Sequence, residues 1–201
     1  MMDAPSPADI ATLLQAVHSG DREALAALFP LVYDELSVLA HRQRQSWHGD
    51  LTLNTTAVVH EVYLKLLHQR QLPAESRAHF FAVAATAMRH ILCNYARDRR
   101  TQKRGGDVQH VTLEPGHEVA SRLELSDEQT DELTALDDAL RRFEQIAERQ
   151  ARIVECRFFG GMSVEDTASA LGISARTVKR DWNFARAWLR REMQATLGAH
   201  D

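Results

Sequence analysis

Four polar side chains near the end of the chain have types and spacing suited to reading the edge of a base pair: Arg176, Lys179, Arg180 and Asn183. Arginine and lysine donate to guanine O6 and N7, and asparagine pairs with adenine N6 and N7. On a helix these residues fall to one side, with Arg176 and Arg180 one turn apart. Val178, Trp182, Ala185 and Leu189 form an apolar stripe on another side. Arg186, Arg190 and Arg191 lie farther along and are expected to touch phosphate or water. Trp182 shares the apolar stripe, so it and Trp188 are expected to pack against the protein and not to stack on bases.

A cationic helix reads DNA only when something holds it at the right angle. The preceding run Arg157-Phe158-Phe159-Gly160-Gly161-Met162-Ser163 reads as a helix end and a glycine turn. A short helix follows, which Ser163 is placed to cap by accepting a bond from an orphaned backbone N–H. Gly172 suits the left-handed residue that ends this helix, and Ser174 suits the cap of the next one. Two helices across a short turn, the second cationic, form the helix-turn-helix arrangement for entering a major groove.

The rest of the chain is helical in pattern. Of its 201 residues 44% are apolar and 26% charged, and no alternating strand pattern persists. We expect an all-α protein with two small helical domains joined by an acidic flexible linker: residues 8–104, a linker over 105–125, and residues 126–195 carrying the helix-turn-helix. Helices are expected from Ala8 to His18, from Asp21 to about Gln45 with a kink or break at Pro30, and over about 55–69. A further helix should run from Ser76 or its neighbours to about Arg100. Gly105-Gly106 and Pro115-Gly116 punctuate the linker, and Ser126-Asp127-Glu128-Gln129 has the form of a capping box at the start of the second domain.

The net charge of −4 conceals a strong pattern. Residues 89–104 hold six Lys or Arg against the single acid Asp98, and residues 176–191 hold six against Asp181. Between them, residues 107–132 hold eight acids and only Arg122. Two cationic modules flank an anionic connector. No apolar run approaches the ~18 residues of a membrane span, and the first ten residues lack a signal-peptide pattern. Cys93 and Cys156 lack metal-ligand spacing and are expected to be buried, reduced thiols. A cytoplasmic protein without membrane insertion is expected.

Catalytic chemistry finds no support. His60-Glu61 begins like a zinc-protease motif, but the position one turn on is Leu64, and His68 is too far along to share a metal. No phosphate-binding glycine loop, nucleophile elbow or paired-carboxylate site is visible. We therefore expect no enzyme activity, no metal and no cofactor.

The apolar-to-basic segment from Phe80-Phe81-Ala82-Val83 to Asp98-Arg99-Arg100, the segment Val58-Val59-His60-Glu61-Val62-Tyr63-Leu64-Lys65-Leu66-Leu67 and the 157–188 region occur in an order that resembles the extracytoplasmic-function (ECF) sigma factors. The resemblance covers about residues 9–104 and 126–195. It implies a promoter-specificity subunit of bacterial core RNA polymerase, with promoter DNA as its second partner. The N-terminal domain would hold polymerase through the segment of Val58, Glu61, Val62 and Lys65 and would open the −10 element. Arg97, Arg99, Arg100 and Arg104 would follow its phosphates, Arg77 lies where a flipped base is captured, and Phe80 and Tyr95 are candidate stacking residues. The C-terminal domain would read the −35 element through Arg176, Lys179, Arg180 and Asn183.

One departure from the family stands out. Many relatives carry an acidic pair just before the segment equivalent to 58–67, where this chain has Asn54-Thr55-Thr56-Ala57. Phosphorylation of Thr55 or Thr56 would restore about −1.5 to −2 charges per site. Alternatively, Asn54 or Thr55 simply caps the helix. Control by an anti-sigma factor or by a Ser/Thr kinase are both open at this point. The C-terminal module alone also fits a free-standing regulator that binds an operator, although the receiver domain such a regulator would need is not visible.

Overall fold

A computed structural model describes residues 7–46, 55–69, 72, 75–103 and 126–197. Among them helices are the only regular elements: α1 (Pro7–His18), α2 (Arg22–Ser46), α3 (Thr55–Leu67), α4 (Arg77–Lys103), α5 (Asp127–Ile146), α6 (Glu148–Val154), α7 (Val164–Leu171) and α8 (Ala175–Leu197). A single π-helical turn, Glu155–Phe159, continues α6. The expected linker, with Arg104, lies outside the described residues, as does Asn54.

Local chemistry fixes most boundaries. Ser76 Oγ accepts from the His79 N–H and starts α4. Ser126 and Gln129 form the reciprocal capping box that their spacing predicts, at 3.2 and 2.7 Å. Of the two outcomes expected at Pro30, the break does not occur. The helix α2 passes through it without interruption. Proline leaves the carbonyl four residues back without its helical donor, but Ala26 and Pro30 both lie on the exposed side, where water serves instead. The opposite side, Leu25, Leu28, Val32 and Leu36, is at most 2% exposed and holds the helix against its neighbours.

The N-terminal helices α1–α4 and the C-terminal helices α5–α8 pack against one another. Leu28, Val62, Phe80 and Met88 belong to the same continuous core as Leu140, Phe143 and Phe159. Helix α4 makes this junction, packing on α5, α7 and the π turn as well as on α3. At its closest approach the backbone of Gly160 lies over Ala85: a Cβ at Gly160 would come 2.6 Å from Ala85 Cβ. Cys93 and Cys156 are free and buried, and burial pushes their thiols up to about 11 and about 12, so both stay protonated at neutral pH. Among the described residues no helix is long and apolar enough to cross a membrane.

Candidate nucleic-acid interface

The C-terminal cationic face is assembled by three local devices, each predicted from the residues. Ser163 Oγ accepts from Asp166 N–H at 2.9 Å and starts α7. Gly172 ends it with φ +63°. Nothing lies within 4 Å of a Cβ built there, so conformation and not crowding selects glycine. Ser174 Oγ then accepts from Thr177 N–H at 3.1 Å and starts α8. A small cluster of Ile153, Ala168 and Val178 locks α8 across α7 and α6, with Leu171 and Trp182 against it.

Helix α8 is therefore buried along Val178, Ala185 and Leu189, at 0%, 0% and 6% exposure. Arg176, Lys179, Arg180 and Asn183 are all exposed. The structure gathers these four on one accessible surface. Trp182 is half-buried between two guanidinium groups, with Arg157 at 5.7 Å and Arg186 at 5.8 Å from its ring centre. Arg157 also donates to the Met162 carbonyl at 2.6 Å, which ties the glycine turn to α8. Trp188 stacks on Phe143 at 4.7 Å, so both tryptophans pack as expected.

Sequence reasoning missed the residue that orients this face. Asp181, the one acid among the cations of α8, is 3% exposed. Its carboxylate accepts from Arg180 Nε at 2.9 Å and from Arg149 of α6 at 2.8 and 3.0 Å. Burial pushes the Asp181 carboxyl up, but the hydrogen bonds from Arg180 and Arg149 outweigh it and hold the group below its ordinary 3.8. A carboxylate with a depressed value contributes stability above its unfolded value and loses it as pH falls through the folded one. Wild type should therefore lose stability below pH 3.8 more steeply than Asp181→Asn, as followed by tryptophan fluorescence of acid unfolding. Equal slopes would show that Asp181 does not carry this linkage. The only advance signal was its isolation among basic residues.

The N-terminal set is distributed differently. Phe80 is 0% exposed and packs edge-on to Phe81, so the expectation that it stacks on a base is corrected: it is a core residue. Val58 and Val62 are 3% and 0% exposed, which corrects their place on a polymerase-facing surface; they hold α3 in the core. The apolar period of both segments is a burial signal that the resemblance had overlaid with a contact role. Glu61, Lys65 and Tyr95 are half-buried, and Thr56 is exposed. Arg77 is exposed, pairs with Glu35 and lies 5.6 Å from the Phe81 ring centre. Some twenty residues of α4, about 30 Å of helix, separate it from Arg97, so the set does not converge on one point. Arg97, Arg99 and Arg100 are half-buried and face acids of α5.

Residues 7–195 match the family described as ECF sigma factor. The chain belongs to the ECF sigma factor family. An RNA polymerase sigma-E factor of Streptomyces antibioticus is 40% identical over 74 residues, covering 37% of this chain and 39% of that protein. The chain thus spans about two fifths of the length of that curated relative. In this ECF sigma factor the all-helical order agrees with the family reading. No group of His, Cys, Asp or Glu among the described residues is arranged to hold a metal ion.

Proposed function

We propose that this chain is a promoter-specificity subunit, which binds bacterial core RNA polymerase and brings it to a subset of promoters. Helix α8 reads the −35 element through Arg176, Lys179, Arg180 and Asn183. Helix α4 and its basic end engage the −10 element, and Glu61 and Lys65 on α3 contribute to the polymerase contact. The protein acts in the cytoplasm and performs no reaction of its own; the two domains are residues 8–104 and 126–195, joined by the acidic segment 105–125. The observation that carries this reading is the cationic face of α8, exposed while its opposite side is locked into α6 and α7.

Co-elution of the purified protein with core polymerase, followed by run-off transcription on genomic fragments, tests it. Stable co-elution with new transcripts is expected. Specific binding of duplex DNA without co-elution would instead indicate an operator-binding regulator. Thr55 and Thr56 stand where relatives carry acids, and Thr56 is exposed. Phosphorylation there would supply the missing charge for polymerase. If so, replacing both by Glu should raise promoter activity and replacing both by Ala should not; equal activity of the two variants would contradict the switch.

A further inference from the structure

We infer that Asp181 is a positioning residue for base recognition, which holds Arg180 so that its free end meets one guanine of the −35 element. The inference rests on the reading of α8 as the −35 surface and deepens it. The members of the exposed set on α8 are not alike. Among the described residues the side chains of Arg176, Lys179 and Asn183 have no hydrogen bond or ion pair. Arg180 has one. Its side chain is 70% exposed, yet its Nε donates to Asp181 Oδ1 at 2.9 Å.

The hold is a firm one because Asp181 is not a surface acid. It stands in the packed stripe of α8, three residues after Val178 and four before Ala185, and is buried with them. Its two oxygens are divided between two partners. Oδ1 accepts from Arg180, while Oδ2 accepts from Arg149 Nε on α6 at 3.0 Å, with Arg149 Nη2 at 2.8 Å. A carboxylate buried this far is kept only when it is paired. Two arginines on one acid leave a positive charge in excess, so the cluster as a whole still attracts DNA phosphates.

The chemistry of the free end follows from the shape of a guanidinium, which is flat and presents its N–H bonds in a fixed fork. With Nε taken by Asp181, Nη1 and Nη2 remain, and neither has a partner among the described residues. Two adjacent donors match the O6 and N7 acceptors that guanine shows in the major groove. Adenine offers N7 beside an N6 amino group, so one arginine N–H would face another donor. The base selected is therefore guanine. An arginine already held at Nε also has less rotamer freedom to lose on binding than one that swings in water.

The experiment uses the full-length protein and a fluorescent duplex carrying the −35 element of a promoter mapped by run-off transcription. Each guanine of the element is replaced in turn by 7-deazaguanine, which lacks the N7 acceptor and still pairs with cytosine. The readout is the ratio of affinities for the normal and the substituted duplex within one protein, so a change in net charge cancels. Wild type should lose about tenfold at one guanine, within the range of a bidentate base contact. Arg180→Ala should abolish that loss. Asp181→Ala removes the acceptor that holds Nε and should shrink the loss to about two- to threefold, with ratios at other guanines unchanged.

Arg149→Ala breaks the same tie between α6 and α8 but leaves Asp181 Oδ1 on Arg180, and it should keep the loss whole. This variant separates positioning from packing, because an acid that only holds helices together would lower affinity for every duplex alike. Arg180→Ala changes an exposed side chain and carries the test alone should Asp181→Ala fold poorly. If no guanine has a ratio that depends on Arg180, the guanine contact is overturned. An unchanged ratio in Asp181→Ala, or an equal fall in Arg149→Ala, would overturn positioning by Asp181. Failure of the underlying reading of α8 shows separately, as wild type that binds the mapped element no better than a scrambled duplex.

Discussion

Replacing Arg176 and Lys179 together by alanine should lower affinity for a promoter −35 duplex by on the order of 10²-fold or more, while co-elution with core polymerase is unchanged. Each good bidentate contact to a base edge contributes about 1–3 kcal/mol of discrimination, and about 1.4 kcal/mol is tenfold. Both side chains are exposed on α8, and neither supports the packing of Val178 or Ala185, so the helix itself should persist. Arg190→Ala/Arg191→Ala makes the contrast. Those residues lie about three to four turns farther along the same helix. Their loss should weaken binding to all sequences alike and flatten its salt dependence, the signature of phosphate contacts. Fluorescence anisotropy on promoter and scrambled duplexes separates the two. Equal loss on both duplexes for Arg176→Ala/Lys179→Ala would show that these side chains do not read bases.

Phe143→Ala should destabilise the C-terminal helices by about 3–5 kcal/mol, a large part of the ~5–15 kcal/mol that holds a domain together. Phe143 is 0% exposed and lies 4.7 Å from the Trp188 ring centre, so it is the aromatic joint between α5 and α8. Truncation leaves a cavity where the helix carrying the exposed cations Arg176, Lys179 and Arg180 is anchored. Phe184 lies on the outer side of the same group, 6.0 Å from Phe143 and 54% exposed. Phe184→Ala should therefore cost under ~1 kcal/mol. Urea unfolding of both variants, read by tryptophan fluorescence, checks the ranking, and comparable losses would contradict it.

What could be read in advance follows the range of the interactions involved. Ser126, Ser163, Gly172 and Ser174 each satisfy or terminate a helix within a few residues, so their roles were legible in the sequence. The apolar stripe of α8 was legible for the same reason, because helical period alone decides it. The absence of a break at Pro30 was not legible, since burial of Leu28 and Val32 outweighs a local preference that the sequence shows in isolation. Phe80 was misleading: its aromatic ring suits base stacking, but only tertiary packing reveals that the ring is covered.

The π turn over Glu155–Phe159 had no local signal at all. It becomes intelligible through the close approach of Gly160 to Ala85, seventy-five positions away in sequence. The charge pattern was visible as basic, acidic and basic blocks, but Asp127 and Asp131 read as an extension of the acidic connector. In the folded chain they begin α5 and face Arg99 and Arg100. Which cation meets which acid is a property of the docked helices, and composition does not contain it.

Promoter recognition by polymerase carrying this chain is the central expectation. The most direct measurement is to map the 5′ ends of transcripts made by core polymerase with the wild type and with Arg176→Ala/Lys179→Ala on genomic fragments. New start sites that share an element about 35 base pairs upstream are expected with the wild type, and loss of those sites with the variant while polymerase binding persists. Identical start sites with and without the chain, or sites indifferent to Arg176 and Lys179, would contradict this expectation.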